Sequence, residues 1–360
     1  MIAGTTLDKL GEMIVSQHAE KRDVVAPTTQ LALVTPSSPS LSFDVNGSDI
    51  VAELTPHALR QLATWAGIPA KYVDRISVRE HHELLAANVN HWLQASDDKR
   101  LVRMLQGERT VARAFLSDRY RPLDNYDLAL HIMPRLREAG MSIKSAALTD
   151  TRLYIQAVDM SLMARIQPGL HQRETKDDML YAGVVISNSE IGAGSLSIES
   201  MVWRLICTNG LIAGTGLRRA HLGRALSGGN DGDPFELFKD ETKVATDNAF
   251  WLQVRDVIDA ALSESQFRAI VDRMQQATAI ELPADPSRIV EVTAQRLGLN
   301  GDESDTVMRH LFAGGDSTLY GLMNAVTRTA EDSTSYDRAV ELERLGSDVL
   351  TFNPAAFSKN

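Results

Sequence analysis

The chain has 360 residues, 44% hydrophobic and 23% charged, a balance that supports a buried core and excludes the charge-rich compositions that stay disordered. At this length a single core stops growing, so two structural units are expected. The one cysteine, Cys207, excludes an intramolecular disulfide framework and a zinc site of several thiolates, and fits a reducing cytoplasm. The net charge of −10 argues against a nucleic-acid partner only if the charge is evenly spread, and it is not.

Residues 1–23 break up their apolar positions with charges at helical spacing, which predicts an amphipathic helix and neither a signal peptide nor a membrane span. QLALVT and SLSFDV then read as strands. The second runs into Asn46-Gly47, the hairpin-turn pair, with DIVAEL as its return strand. Thr55-Pro56 supplies an N-cap and a first-turn proline for a helix that Gly67 ends, and Ser77 with Glu80 has the spacing of a capping box for a second helix running to Gln94. RLVRMLQ and TVARAFLS alternate as the arms of a hairpin. NYDLALHIMPRLREAG is helical in pattern, SIKSAALT and RLYIQAV read as strands, and polar residues 160–179 read as a loop. YAGVVIS and SLSIESMVWRLICTNGLIAG follow as strands, and beyond Asn230 the pattern is helical throughout. The expected fold class is α+β: a mixed, mainly antiparallel sheet with hairpins and packed helices, then an all-helical C-terminal part. The expected organisation is 1–54, 55–230 and 231–360.

The charge is segregated along this plan. Between Lys99 and Arg121 seven basic residues face two acids, and Ser200–Asn230 holds Arg204, Arg218, Arg219, Arg224 and His221 with no acid at all. Between Asp231 and Asp305, by contrast, sixteen carboxylates face seven lysines and arginines. Phosphate-loop, zinc-protease, serine-hydrolase and EF-hand signatures are absent, the histidines are scattered, and the Gly192–Gly194 and Gly214–Gly216 turns complete no dinucleotide fingerprint. No metal and no cofactor is therefore expected.

Two site readings follow. In the first, Arg113, Arg119, Arg121, Arg204, Arg218, Arg219 and Arg224 neutralise backbone phosphates, while Phe115, Tyr120 and Trp203 offer stacking surface for bases, as single-strand binders use them. It requires the two basic segments to share one surface. In the second, Asn188, Ser189, Glu190 and Asn209, with Arg113 and Arg152, form the polar site of an enzyme for a small or phosphorylated substrate, with Glu190 as general base. Cys207 reads as a core residue rather than a nucleophile. A third possibility is a counter-defence factor that binds a host or phage protein through its acidic helical tail.

Four ordered motifs carry a family resemblance: residues 112–124 (ARAFLSDRYRPLD), 148–152 (LTDTR), 187–192 (SNSEIG) and 203–210 (WRLICTNG). With STLYGLMNAVTRTA and ELERLG near the end, the chain resembles, over roughly residues 50–350, the phage- and plasmid-borne family called domain of unknown function 932. The resemblance implies carriage on mobile elements and offers no catalytic residues to transfer. The arginine-bearing hairpins are also similar at fold level to phage single-strand annealing proteins of the Red beta, RecT and Erf group. That likeness implies ATP-independent binding of single-stranded DNA by a homo-oligomer, away from membranes.

Overall fold

Thr6 accepts the Lys9 N–H and starts α1 (Leu7–Glu20), which buries Leu10 and Ile14 and hands the chain directly to β1 (Lys21–Pro27). The structure is a computed structural model that describes residues 4–35, 37–45, 47–167, 178–205, 210–213, 217–219, 240–283, 285–353, 355 and 357. β1 joins β2 (Leu31–Val34), β3 (Ser40–Val45), β4 (Ser48–Leu54), β5 (Lys99–Gln106) and β6 (Thr110–Ser117) in a six-stranded sheet, sheet A, of order β1-β5-β6-β4-β3-β2. Every pair is antiparallel except β4–β6. A parallel pair needs a crossover, and α2 (Pro56–Trp65), α3 (Ala70–Val78) and α4 (His82–Gln94) provide it. These helices cover one face of sheet A, packing Leu62, Val73, Leu85, Val89 and Leu93 on Leu33, Leu41, Phe43, Val102 and Met104. The expected boundary at residue 54 therefore falls inside one sheet, because β4 pairs with β6.

The helix expected to start at Ser77 is also corrected. Ser77 lies within α3, and the chain breaks at Arg79–His81, where Glu80 adopts φ 57°. One straight helix over residues 70–94 would be about 37 Å long, while six strands span only about 24 Å. The break lets both apolar stripes face the same sheet.

After α5 (Asn125–Glu138), sheet B forms from β7 (Ser142–Leu148), β8 (Leu153–Ile166), β9 (Asp178–Asn188), β10 (Leu196–Arg204) and β11 (Gly210–Ile212). Its order is β11-β10-β9-β8-β7, with β12 (Leu217–Arg219) paired to the start of β10. The single expected sheet is thus two. Within the expected loop 160–179, residues up to Ile166 are strand. Asp159 accepts both the N–H and the hydroxyl of Ser161 at a bulge, after which Ala164 and Ile166 return to the core beside β9. Residues 168–177 lie outside the described residues.

Alternation along the strands gives sheet B two apolar faces. Ile155, Val184, Ile186 and Ile198 pack on Leu10 and Ile14 of α1, on Leu128 and Ile132 of α5, and on Val254 and Ile258 of α6 (Asp240–Ala261). Tyr154, Val185, Met201 and Trp203 pack the opposite way, on Val340 of α11 (Tyr336–Val349). The helices α7 (Glu264–Ala277), α8 (Pro286–Leu297), α9 (Gly301–Gly314) and α10 (Leu319–Thr329) complete a further core with Leu180, Ala182, Val202 and Leu211. α10 and α11 approach closely because Gly346 lacks a side chain: a Cβ there would lie 2.2 Å from Thr327 Cγ2. The fold is α+β, and its C-terminal part, α6–α11, is helical. Among the described residues no helix is long and apolar enough to cross a membrane.

Candidate functional site

The SNSEIG stretch (187–192) leaves the end of β9 and enters the seam between the sheets. Asn188, fully buried, donates to Leu123 O at 2.8 Å and to Asn125 Oδ1 at 2.9 Å. Ser189 Oγ accepts the Ala193 N–H at 3.0 Å and closes the turn. Glu190 points back between the sheets. Its Oε2 accepts from Arg113 Nη1 at 3.2 Å and its Oε1 from the Asn125 N–H at 2.7 Å, where the positive end of the α5 dipole favours a carboxylate. Ile191 O receives Gln61 Nε2 at 2.8 Å, and Gln61 Oε1 in turn accepts the Phe115 N–H.

Beside this lies Arg103, 2% exposed. Its Nε and Nη2 form a fork on Asp23 at 2.9 and 2.8 Å, and its Nη1 reaches Asp124 at 2.8 Å and Glu190 O at 3.3 Å. Burial works against the guanidinium charge, but Asp23, Asp124 and Glu190 outweigh it and hold the group charged above its ordinary range. Burial likewise works to raise Asp124, yet Arg103 and Lys21, both paired with it, keep its carboxyl below the usual range. The result is an ionic junction in which two arginines of sheet A are keyed to one residue delivered by sheet B, Arg113 to the Glu190 carboxylate and Arg103 to the Glu190 carbonyl oxygen.

These positions correct several expected roles. Arg113 is 6% exposed and paired with Glu190, so no phosphate can approach it from solvent. Glu190 is 7% exposed with both carboxylate oxygens bonded inside the junction, and the Asn188 amide nitrogen is committed there as well, which removes the geometric basis for Glu190 as a general base. Phe115 and Trp203 are buried and present no face to a base. Tyr120 is half-buried, with its hydroxyl pushed up to about 12, chiefly by burial. Arg204 is held by Asp178, with Nε and Nη2 at 2.6 and 2.5 Å, and lies 5.5 Å over the Tyr320 ring. Cys207, Asn209, Gly214–Gly216 and Arg224 lie outside the described residues.

Arg119 and Arg121 are exposed on the turn that leaves β6. The next features of that corner come from sheet B. A Cβ on Gly192, which has φ 75°, would lie 2.8 Å from Leu116 Cδ2 and 3.9 Å from the Tyr120 ring. Four residues later Leu196 begins β10, and β12 pairs there with Arg219 opposite Leu196 and Arg218 opposite Ser197. The loop 192–195 thus has one basic segment at each end.

Behind that loop lies a cleft of about 600 Å³ between the end of sheet B and the first turns of α11. Arg152, Tyr154, Ser187, Ser195, Ser197, Asp337 and Arg344 line it, together with Gly194, Ser335, Arg338 and Glu341. Arg152 is anchored by Ala193 O at 2.6 Å, Arg344 by Glu199, and Arg338 by Glu303 at 2.7 and 2.8 Å. Asp337 accepts from Thr149 and Thr151, both at 3.2 Å. The sequence reading found Arg152 but missed Arg338, Arg344 and Asp337. Their helix joins the site from about 150 residues further along the chain, and no local pattern marks it. Comparison with family models, curated proteins and solved structures finds no match for this chain.

Proposed function

We propose that this protein binds single-stranded nucleic acid, without metal or nucleotide cofactor, across the corner formed by the turn at Arg119–Arg121, the loop 192–195 and β12. What supports the reading is the convergence of the two basic segments: a four-residue loop reaches at most about 14 Å, and it has the Tyr120 turn at one end and the Arg218–Arg219 strand at the other. The basic arginines are here divided by role. Arg103, Arg113 and Arg204 hold the fold, and Arg119, Arg121, Arg218 and Arg219 are assigned to phosphates. The resemblance to a mobile-element family makes recombination or replication of such an element, in the cytoplasm and as a homo-oligomer, the setting for this binding.

Fluorescence anisotropy with a labelled 5′-hydroxyl oligonucleotide of about 30 nucleotides tests it. Binding at low salt should persist in EDTA. Log affinity should fall linearly with log salt, and removing two phosphate contacts by Arg218→Ala with Arg219→Ala should reduce that slope by about 1.4. An unshifted oligonucleotide at low salt, or a slope unchanged in this double variant and in Arg119→Ala with Arg121→Ala, would overturn the assignment.

A further inference from the structure

The polar cleft contains two buried groups that the fold leaves without a partner. Ser187 and Ser197 are 1% and 5% exposed, both line the cleft, and neither hydroxyl has a hydrogen-bond partner among the described residues. They are directly opposed across β9 and β10, and Tyr154 of β8 is opposite Ser187 in the same row. Cross-strand partners share a face and stand about 5 Å apart at Cβ, so the two hydroxyls form a pair. Buried polar groups in folded proteins are nearly always satisfied, and two adjacent exceptions in an open cleft mark a place where something polar binds.

The surrounding charges say what kind of group. Arg152 spends only Nη2, on Ala193 O, and Arg344 spends Nε and Nη2 on Glu199, which leaves each guanidinium with uncommitted N–H groups at the cleft. Arg338 is consumed by Glu303 and Glu341. Two hydroxyls and two partly free guanidiniums suit the oxygens of a phosphate group, which accepts several charge-assisted hydrogen bonds at once. Asp337 and Glu341 on the α11 side are acceptors and suit hydroxyl or amino donors on the rest of the ligand. The volume lies within the range of small-ligand sites.

We propose that this cleft binds a phosphate monoester of the nucleoside monophosphate type, with its phosphate on Ser187, Ser197, Arg152 and Arg344 and its donor groups toward Asp337 and Glu341. Such a unit can be a free mononucleotide or the phosphorylated end of a strand; the second form rests on the nucleic-acid reading above, and the first does not. Isothermal titration with thymidine 5′-monophosphate and with thymidine, and anisotropy with matched 5′-phosphorylated and 5′-hydroxyl oligonucleotides, separate the two sources. Either the monophosphate outbinds thymidine, or the phosphorylated strand outbinds its hydroxyl twin, by about tenfold or more. The preference should disappear in Ser187→Ala with Ser197→Ala, whose melting temperature should stay level or rise because only unpaired hydroxyls are removed. Should that variant fold poorly, Gly194→Ala provides a second route. Its Cβ would overlap the Arg152 guanidinium, 1.7 Å from Nη2, and displace only the far end of a flexible side chain. Absence of any phosphate preference in both assays, or a preference that survives these variants, overturns the proposal. Continued binding of the 5′-hydroxyl strand in that case leaves the nucleic-acid reading standing.

Discussion

Replacing Glu343 by glutamine should change how the stability of this protein depends on pH. Glu343, on α11, is 1% exposed and accepts from Gln156 Nε2 at 2.8 Å and from the Gly210 N–H at 3.2 Å. Burial raises its pKa to about 7, against the opposing pull of those two donors and of Arg344. In the unfolded chain a glutamate titrates near 4.3. Between these values the native state carries a proton that the unfolded state has lost, so stability falls as pH rises from about 4.5 to about 7 and is level beyond. At about 1.36 kcal/mol per unit, a gap of roughly 2.5 units removes ~3 kcal/mol. Glutamine cannot ionise, and Gln156 Oε1, buried without a partner, is available to accept from the new amide if the Gln156 amide turns over. Urea denaturation of both proteins at pH 5 and pH 8 measures the difference; histidine titrations common to both cancel in the comparison. The parent should lose up to ~3 kcal/mol more than Glu343→Gln over this range. Equal losses in the two proteins, within about 0.5 kcal/mol, would refute the claim that Glu343 is protonated at neutral pH or below.

The junction makes its own predictions. Arg113→Met leaves Glu190 buried with one backbone donor and should cost about 3–5 kcal/mol, while adding Glu190→Gln should recover part of that loss; a denaturation cycle with simply additive losses would show that the two groups are not coupled. Asp124, held below the usual carboxylate range by Arg103 and Lys21, contributes stability that is complete above about pH 4 and is lost as pH falls through its lowered pKa. Asp124→Asn should flatten that acid limb in a thermal-melt series from neutral pH to pH 2, and an unchanged limb would place the acid sensitivity elsewhere. Gly192→Ala imposes a left-handed alanine, costing roughly 1–2 kcal/mol, and crowds Leu116 besides. It should lower the melting temperature while Gly67→Ala, which meets no neighbour, pays only the backbone strain.

Local chemistry is what the sequence displays, and much of the secondary structure is local. The Thr55-Pro56 start, the Gly67 and Gly140 stops with φ 70° and 67°, and the alternating arms of β5 and β6 follow from residue types within a few positions of each other. The same locality explains the failures. Ser77 and Glu80 have the spacing of a capping box, but the end of α3 is decided by two helices competing for one face of sheet A. β8 runs on past the bulge at Asp159 to Ile166 because β9 supplies its hydrogen bonds. A single-sheet expectation had no means of seeing that β4 closes against β6 and that, among the described residues, β7–β12 pair only among themselves.

For the functional residues the division is sharper. The sequence by itself determined which residues carry charge, that the arginines cluster in two segments, and that SNSEIG follows a buried strand. It could not tell a surface arginine from a buried one, because both present the same letter: Arg113 and Arg119 lie six residues apart, yet one is sealed against Glu190 and the other is exposed. Only the tertiary structure decided that, by setting the pleat of β6 against the end of β9. It alone also brought α11 across residues 152–197 to form the cleft. Burial and long-range pairing are properties of where a residue ends up, and desolvation then fixes whether its charge holds the fold together or remains available to a ligand.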